Sequence, residues 1–286
     1  MKGSEFVEAN KSKNIQGWEA AAVELAKSGE GIVNWPMVPI HLSSPGHEAT
    51  LNVSSDYFSV GDPSDFLRLP LTPSAAQTIA NFGNFLLPTP KIAYEIAKQA
   101  EVKLIPTPQV NKGENLLEFA KHNATVEAQR AGRTGLITGH KKDVVISNIY
   151  KPKKVLIYGW FYPPGAKVPA GFSNPIQARS NIHYDGFADY SHGIRFISPV
   201  MKVDGQDMMT EDVMRDPVLS KLVSDEGIVR TVRYPAPNAP AEPPYRPVDK
   251  KVYEALNDVY PRPNTSSYAD MGLSVLAEES AAKKNT

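Results

Sequence analysis

Three runs rich in β-branched and aromatic residues sit together in the middle of the chain: DVVISNIY at 143–150, KKVLIYGWFY at 153–162 and GIRFISPVMKV at 193–203. Runs of this kind read as buried strands. They are expected to form the central sheet of the main portion of the chain. What lies between the second and third, PPGAKVPAGFSNP, is a long turn-rich loop rather than a helix. Helical patterns fall mostly before the runs, without a regular strand–helix alternation, so the class expected is α+β: a central mixed or antiparallel sheet with helices packed on it.

The helices announce themselves by their ends. NIQGWEAAAVELAKS at 14–28 carries Ile15, Trp18, Ala22 and Leu25 at helical spacing, with Gly29 placed to stop it. Thr72-Pro73 and Thr89-Pro90 each put a capping hydroxyl before a proline at the first helical position, where the missing N–H costs nothing. Residues 48–60 alternate as a strand pair would, and VGDPSDFLRLPLTP then turns into a proline-stopped edge. Asp204-Gly205 predicts a tight hairpin turn, and Asp216-Pro217 the start of a short helix through PVLSKLVSDEG. PAPNAPAEPPYRP at 235–247 reads as an extended wrap or linker, and VDKKVYEALNDVY as a closing helix. The portions expected are thus 7–110 with helices and strands, 111–234 with the main sheet and a candidate site, and 235–286 as a Pro-rich extension and tail. MKGSEF at 1–6 has the look of translated cloning sites and is set apart from the fold, with a native leader expected to have been trimmed.

Composition narrows the chemistry. With 286 residues, 41% of them hydrophobic, the chain can bury a sizeable core. Lys plus Arg and Asp plus Glu are 31 each, so no long-range field selects nucleic acid, and no apolar run reaches the roughly 20 residues of a membrane helix. Nucleic-acid binding and membrane insertion are therefore not expected; oligomeric state is left open. The absence of cysteine removes thiolate nucleophiles and Cys-ligated metals. Catalysis would fall to His, Ser, Lys, Tyr and carboxylates.

Three strings concentrate such groups. In KHNATVEAQR at 121–130 a helix would put His122 beside Val126 and Glu127 near Arg130, which also describes a plain surface ion pair. In TGHKKDVVIS, His140, Lys141 and Lys142 stand at a strand entrance, where catalytic groups and solvated loops both occur. SNIHYDGFADYSHGIRF at 180–196 is the densest. His183, Asp189 and His192 are spaced like ligands for zinc or another divalent ion, and they could equally supply a base and its orienting carboxylate beside Ser191. The plainer reading is a loop turned by aspartates and capped by Ser191 and His192. Arg195, on a strand whose Ile194 and Phe196 face the other way, wants an anion: a structural carboxylate such as Asp189, or a substrate carboxylate or phosphate.

HNATVEAQR, GHKKDVVISN and DYSHGIRF together resemble strings in a set of uncharacterised bacterial proteins, across residues 50 to 235. IHYDGFADYSHGIRF also resembles the catalytic stretch of L,D-transpeptidases, in which Ser-His-Gly is followed by the nucleophilic cysteine; here Ile194 follows Gly193, and thiol chemistry is impossible. Ser180, His183, Gly186, Ala188 and Asp189 are similar to the pattern of zinc D,D-peptidases, without the downstream Glu-x-x-His. These resemblances imply bacterial cell-wall substrates, peptides and sugars rich in carboxylates.

The expectation is a secreted, periplasmic or envelope-associated hydrolase acting on a cell-wall or other extracellular polymer or peptide. His192, His183, Asp189, Ser191, His140 and Lys142 would be its catalytic groups, and Arg195, Lys141, Tyr190 and Tyr184 would bind substrate. No cofactor is required, with a divalent metal on His183, Asp189 and His192 as a variant. The alternative is a non-catalytic glycan or peptide binding module in which Tyr184, Phe187, Tyr190 and Trp160 form an aromatic platform.

Overall fold

The computed structural model of the chain describes residues 1–109 and 113–238. It opens with two helices, α1 (Gly3–Asn10) and α2 (Ile15–Ser28). Asn14 caps α2 by accepting the Gly17 N–H at 3.0 Å, and Gly29 closes it at φ 75°, a backbone conformation that glycine adopts without penalty. Helix α1 corrects the reading of MKGSEF as lying outside the fold. Phe6 is buried, Ser4 Oγ donates to Asp65 Oδ2 at 2.5 Å, and a Cβ on Gly3 would lie 2.6 Å from the Phe66 backbone. Enclosing Phe6 alone favours the folded state by roughly 1.5–3 kcal/mol.

The strands and remaining helices follow in order: β1 (Met37–Ser44), β2 (His47–Ser54), β3 (Ser59–Asp62), β4 (Asp65–Arg68), α3 (Pro73–Phe82), α4 (Pro90–Gln99) and β5 (Val102–Lys103). After them come α5 (Leu116–Arg130), β6 (Ile137–Thr138), β7 (Lys142–Val144), β8 (Ile157–Gly159), β9 (Gln177–Ser180) and β10 (His192–Gly193). The described part closes with β11 (Ile197–Val203), β12 (Gln206–Met209), α6 (Thr210–Arg215) and α7 (Ser220–Val223). Both Thr-Pro starts cap as their chemistry demands, Thr72 accepting from Ala75 N and Thr89 from Ile92 N. Asp204 and Gly205 turn the β11–β12 hairpin at φ 49° and 83°. The helix expected from Asp216-Pro217 begins later, because Asp216 Oδ1 accepts the N–H groups of Val218 and Leu219 at 2.7 and 2.8 Å and holds a turn there.

The fold is α+β, with two four-stranded sheets. One, in the order β1-β2-β11-β12, is wholly antiparallel; the other, β10-β7-β8-β9, is mixed, with β10 parallel to β7. The three central runs therefore do not share one sheet. The first two supply β7 and β8, whereas the third leaves β10, crosses through Ile194–Phe196 and enters the other sheet as β11. The crossing is fixed by backbone: Phe58 N donates to Ile194 O at 2.8 Å and Ser54 N to Phe196 O at 2.9 Å. The residues 48–60 also divide, β2 pairing with β1 and β11 while β3 pairs with β4. One hydrophobic core runs from Phe6 and Trp18 through Phe58, Phe85, Phe119 and Ile157 to Tyr234, on both sides of residue 110.

Among the described residues no helix is long and apolar enough to cross a membrane. Of the Pro-rich stretch only residues 235–238 are described, with Asn238 Nδ2 donating to Thr78 O at 3.0 Å. The rest of that stretch and the expected closing helix lie outside the described residues.

Candidate functional site

Parallel pairing of β7 with β10 sets Lys142 opposite His192 and Asp143 opposite Gly193, with Lys142 N–H donating to Ser191 O at 2.9 Å. The GHKKD and DYSHGIR strings thus reach the same end of the mixed sheet, although about 50 positions separate them. Alternation along β7 sends its two charges apart: Lys142 Nζ lies 3.4 Å from Asp189 Oδ2, while Asp143 Oδ2 accepts the Tyr57 hydroxyl at 3.2 Å. Two buried ionic centres result.

The first centre is built around Asp56 and Arg68, both fully enclosed. Arg68 Nε and Nη2 grip the carboxylate at 2.9 and 2.6 Å, Tyr57 N–H donates to Oδ1 at 2.7 Å, and His140 Nε2 donates to Oδ1 at 3.0 Å. Asn123 of α5 accepts from Arg68 Nη1 at 3.1 Å and donates to Phe66 O at 2.8 Å. Burial would raise the Asp56 carboxyl, but Arg68 and His140 outweigh it and hold it well below the ordinary range. His140 is pushed down to about 4 by burial, against the pull of Asp56, and is neutral at pH 7. Arg195 belongs to the same layer. Its Nη1 and Nη2 donate to the carbonyls of Ser54 at 2.6 Å and Ile137 at 2.8 Å, and its guanidinium lies 4.2 Å from the Tyr57 ring centroid. Asp143, 3.9 Å from Arg195 Nε, is raised by burial to about 7.

The second centre surrounds His192. Asp189 Oδ1 accepts both the N–H of Ser191, at 2.8 Å, and its hydroxyl in a short hydrogen bond. Burial would raise Asp189, yet His192, Lys142 and the Ser191 hydrogen bonds outweigh it and the carboxyl stays ionised. His192 is completely enclosed, and neither ring nitrogen has a hydrogen-bond partner among the described residues. Burial pushes it down to about 3, so its imidazole is neutral. Phe187 lies edge-on to it at 5.6 Å, and the half-exposed ring of His183 stacks on Phe187 at 4.2 Å. A buried imidazole with two unused nitrogens costs stability unless the site uses them.

The structure sorts the candidate residues. His192, Asp189, Ser191 and Lys142 stand together, with His183 at their outer edge behind Phe187. His140 lies in the Asp56 centre. Arg195, expected to read a substrate anion, is instead fully buried with two of its nitrogens on backbone carbonyls, and its neighbouring carboxylate is Asp143 rather than Asp189. Lys141 is likewise enclosed, its Nζ donating to Tyr190 O at 2.5 Å, and burial lowers it to about 7. Tyr190 is buried with its hydroxyl accepting the Gln109 N–H at 2.8 Å; Tyr184 alone of the four binding candidates is exposed. Among the described residues no three His, Asp or Glu converge as a metal site. Asp56, Tyr57 and Arg68 escaped the sequence reading. Arg68 had a signal, a single charge inside the otherwise apolar FLRLPL, whereas Asp56 and Tyr57 in SSDYF had none.

Comparison with known proteins returned no matching family model, curated protein or solved structure.

Proposed function

We propose that the chain is a hydrolase that works by histidine acid–base chemistry at the His192 centre, on a cell-wall or other extracellular polymer. The observation that carries this reading is the neutral imidazole of His192, with both nitrogens unused among the described residues, beside an ionised Asp189. A neutral imidazole can take a proton from water as that water attacks a carbonyl or acetal carbon, and can return it to the leaving group. Asp189 steadies the imidazolium so formed, and Lys142 supplies positive charge where the developing negative charge appears. Ser191 is not the nucleophile: its hydroxyl proton goes to Asp189 rather than to a histidine. Water takes that role. Phe187 and His183, both partly exposed, stand next to the buried His192, and substrate would approach from their side.

The binding-module alternative is less well supported, because Trp160 and Tyr190 are buried and only Tyr184 and the rim of Phe187 could form a platform. The cell-wall choice rests on the resemblance of residues 180–196 to cell-wall peptidases, which also favours a secreted or envelope location. Incubating the protein with purified peptidoglycan, neutral polysaccharides and unfolded polypeptide, with products read by mass spectrometry, tests it. Release of defined fragments by the wild type, reduced about a hundredfold or more in His192→Gln, is expected. No fragment from any polymer, or equal release by the variant, would overturn the reading.

A further inference from the structure

Behind Tyr190, two residues from His192, three polar side-chain atoms are enclosed without a hydrogen-bond partner among the described residues: Trp160 Nε1, His122 Nδ1 and Gln109 Oε1. His122, Trp160 and Tyr190 form one aromatic cluster, which the Gln109 backbone meets at Tyr190. The His122 ring lies edge-on to Tyr190 at 4.9 Å and to Trp160 at 6.2 Å, Trp160 and Tyr190 are 6.2 Å apart, and Gln109 N–H holds the Tyr190 hydroxyl at 2.8 Å. His122 and Trp160 are 0% and 4% exposed, so solvent does not satisfy these atoms as it would at a surface.

The backbone bears a second mark at the same place. Trp160 has φ 63°, directly after Gly159 at φ 104°, and a bulky aromatic residue takes a left-handed conformation at a cost of about 1–3 kcal/mol. The strained pair ends β8 at the level of Lys142, because Gly159 is the register partner of Lys142. Strain and orphaned buried polar atoms each call for a physical reason, and a ligand that uses those atoms supplies one for both.

We infer that Trp160, His122 and Gln109 form a recognition site for an uncharged amide group, seated next to the His192 centre. The indole N–H can only donate and the Gln109 carbonyl oxygen can only accept, which matches the C=O and N–H of one amide, while His122 Nδ1 can face either. An ion is disfavoured. None of the three atoms carries a charge, Lys141 Nζ is held by Tyr190 O, and burial keeps His122 neutral, so an ionic ligand would lose its hydration without a partner. This inference rests on the hydrolase reading only for its context: it names amide-bearing polymers, either N-acetylated sugars or peptides, as the class the site admits.

The chain has three tryptophans, Trp18, Trp35 and Trp160, so its indole N–H groups give three resolvable nitrogen-15 NMR signals, of which Trp160→Phe assigns one. The experiment titrates His192→Gln, which keeps the amide site while slowing turnover, with an N-acetylglucosamine oligomer in one arm and a tri-alanine amide in the other. A shift of the Trp160 signal alone supports the site, and the arm that produces it assigns the source of the amide. Fluorescence affinity for that probe should then fall on the order of tenfold in Trp160→Phe, the loss of one neutral hydrogen bond. If neither probe moves the Trp160 signal, or if that indole shows only a cross-peak to a bound water, the inference is overturned. Failure of the hydrolase reading looks different: a probe that shifts Trp160 in a protein that cleaves no polymer leaves the amide site standing.

Discussion

The Asp56 and His192 centres are both buried and both ionic, and residues 140–143 reach into each, yet the first is the more closed and the second the more open. Around Asp56 the carboxylate receives Arg68, Tyr57 and His140, and Asn123 takes up another Arg68 nitrogen. Around His192 the carboxylate is equally well served, by Ser191 and Lys142, but neither imidazole nitrogen of His192 has a hydrogen-bond partner among the described residues, whereas His140 lacks one only at Nδ1. Burial and charge alone therefore do not mark a site. What separates scaffold from candidate chemistry is whether the groups that move protons are already committed.

The comparison breaks most visibly if the closed centre is opened. Arg68→Met leaves the Asp56 carboxylate enclosed with only His140 and a backbone N–H, and should cost about 3–5 kcal/mol of stability by urea denaturation. A cost under about 1 kcal/mol would mean that Asp56 simply neutralises, and that the centre is not what holds β4 and α5 together. Arg195→Met should follow with about 3 kcal/mol, because the Ser54 and Ile137 carbonyls are left bare in the interior. An arginine that read a substrate anion would instead leave the melting temperature unmoved and lower only binding.

The sequence made parts of this legible and hid others for physical reasons. Thr72-Pro73, Thr89-Pro90, Asn14 with Gly29 and Asp204-Gly205 were readable because caps and turns are local chemistry, settled within a few residues. The density of polar groups at 180–196 pointed to the His192 centre, and the shared sheet end of GHKKD and DYSHGIR followed from both preceding strands. The division of GIRFISPVMKV between two sheets was not readable, since it depends on Ser54 and Phe58 pairing with Ile194 and Phe196 from about 140 residues away. Arg195 misled for a related reason: its partners are backbone carbonyls, and no sequence pattern displays a carbonyl that wants a donor. The same blindness set MKGSEF aside, because Gly3 acquires meaning only against β4 and Phe6 only within the assembled core.

The open centre can be sharpened through its proton balance. His192 has its folded value lowered from 6.5 to about 3, so below pH 6.5 the unfolded chain takes up a proton that the folded one refuses. Stability contributed by this group is therefore present above pH 6.5 and is lost as pH falls, by up to about 1.4 kcal/mol per pH unit. Asp143 and Glu19, both raised by burial to about 7, act in the opposite sense, because their stability is lost as pH rises toward 7. The wild-type curve between pH 4 and 7 sums these terms, so the test is a difference. His192→Leu should be less acid-sensitive than wild type across pH 6.5 to 4, and at pH 7 no less stable, since no hydrogen bond is removed. Parallel curves would show that His192 is protonated in the folded protein and that its nitrogens have a partner after all.

Ser191→Ala is the smallest change and separates the two readings of the densest string. The hydroxyl donates to Asp189 Oδ1, but the Ser191 N–H at 2.8 Å and Lys142 at 3.4 Å remain on the same carboxylate when it is removed. The cost should be about 1 kcal/mol, the net worth of one hydrogen bond. Activity, on whichever polymer the protein cleaves, should persist with an unchanged pH profile, because water rather than Ser191 is the attacking group and Asp189 keeps its charge. Complete loss of turnover with little loss of stability would identify Ser191 as a nucleophile that turns from Asp189 to His192 once substrate is bound. The two centres would then differ less in their chemistry than in which of them a substrate can rearrange.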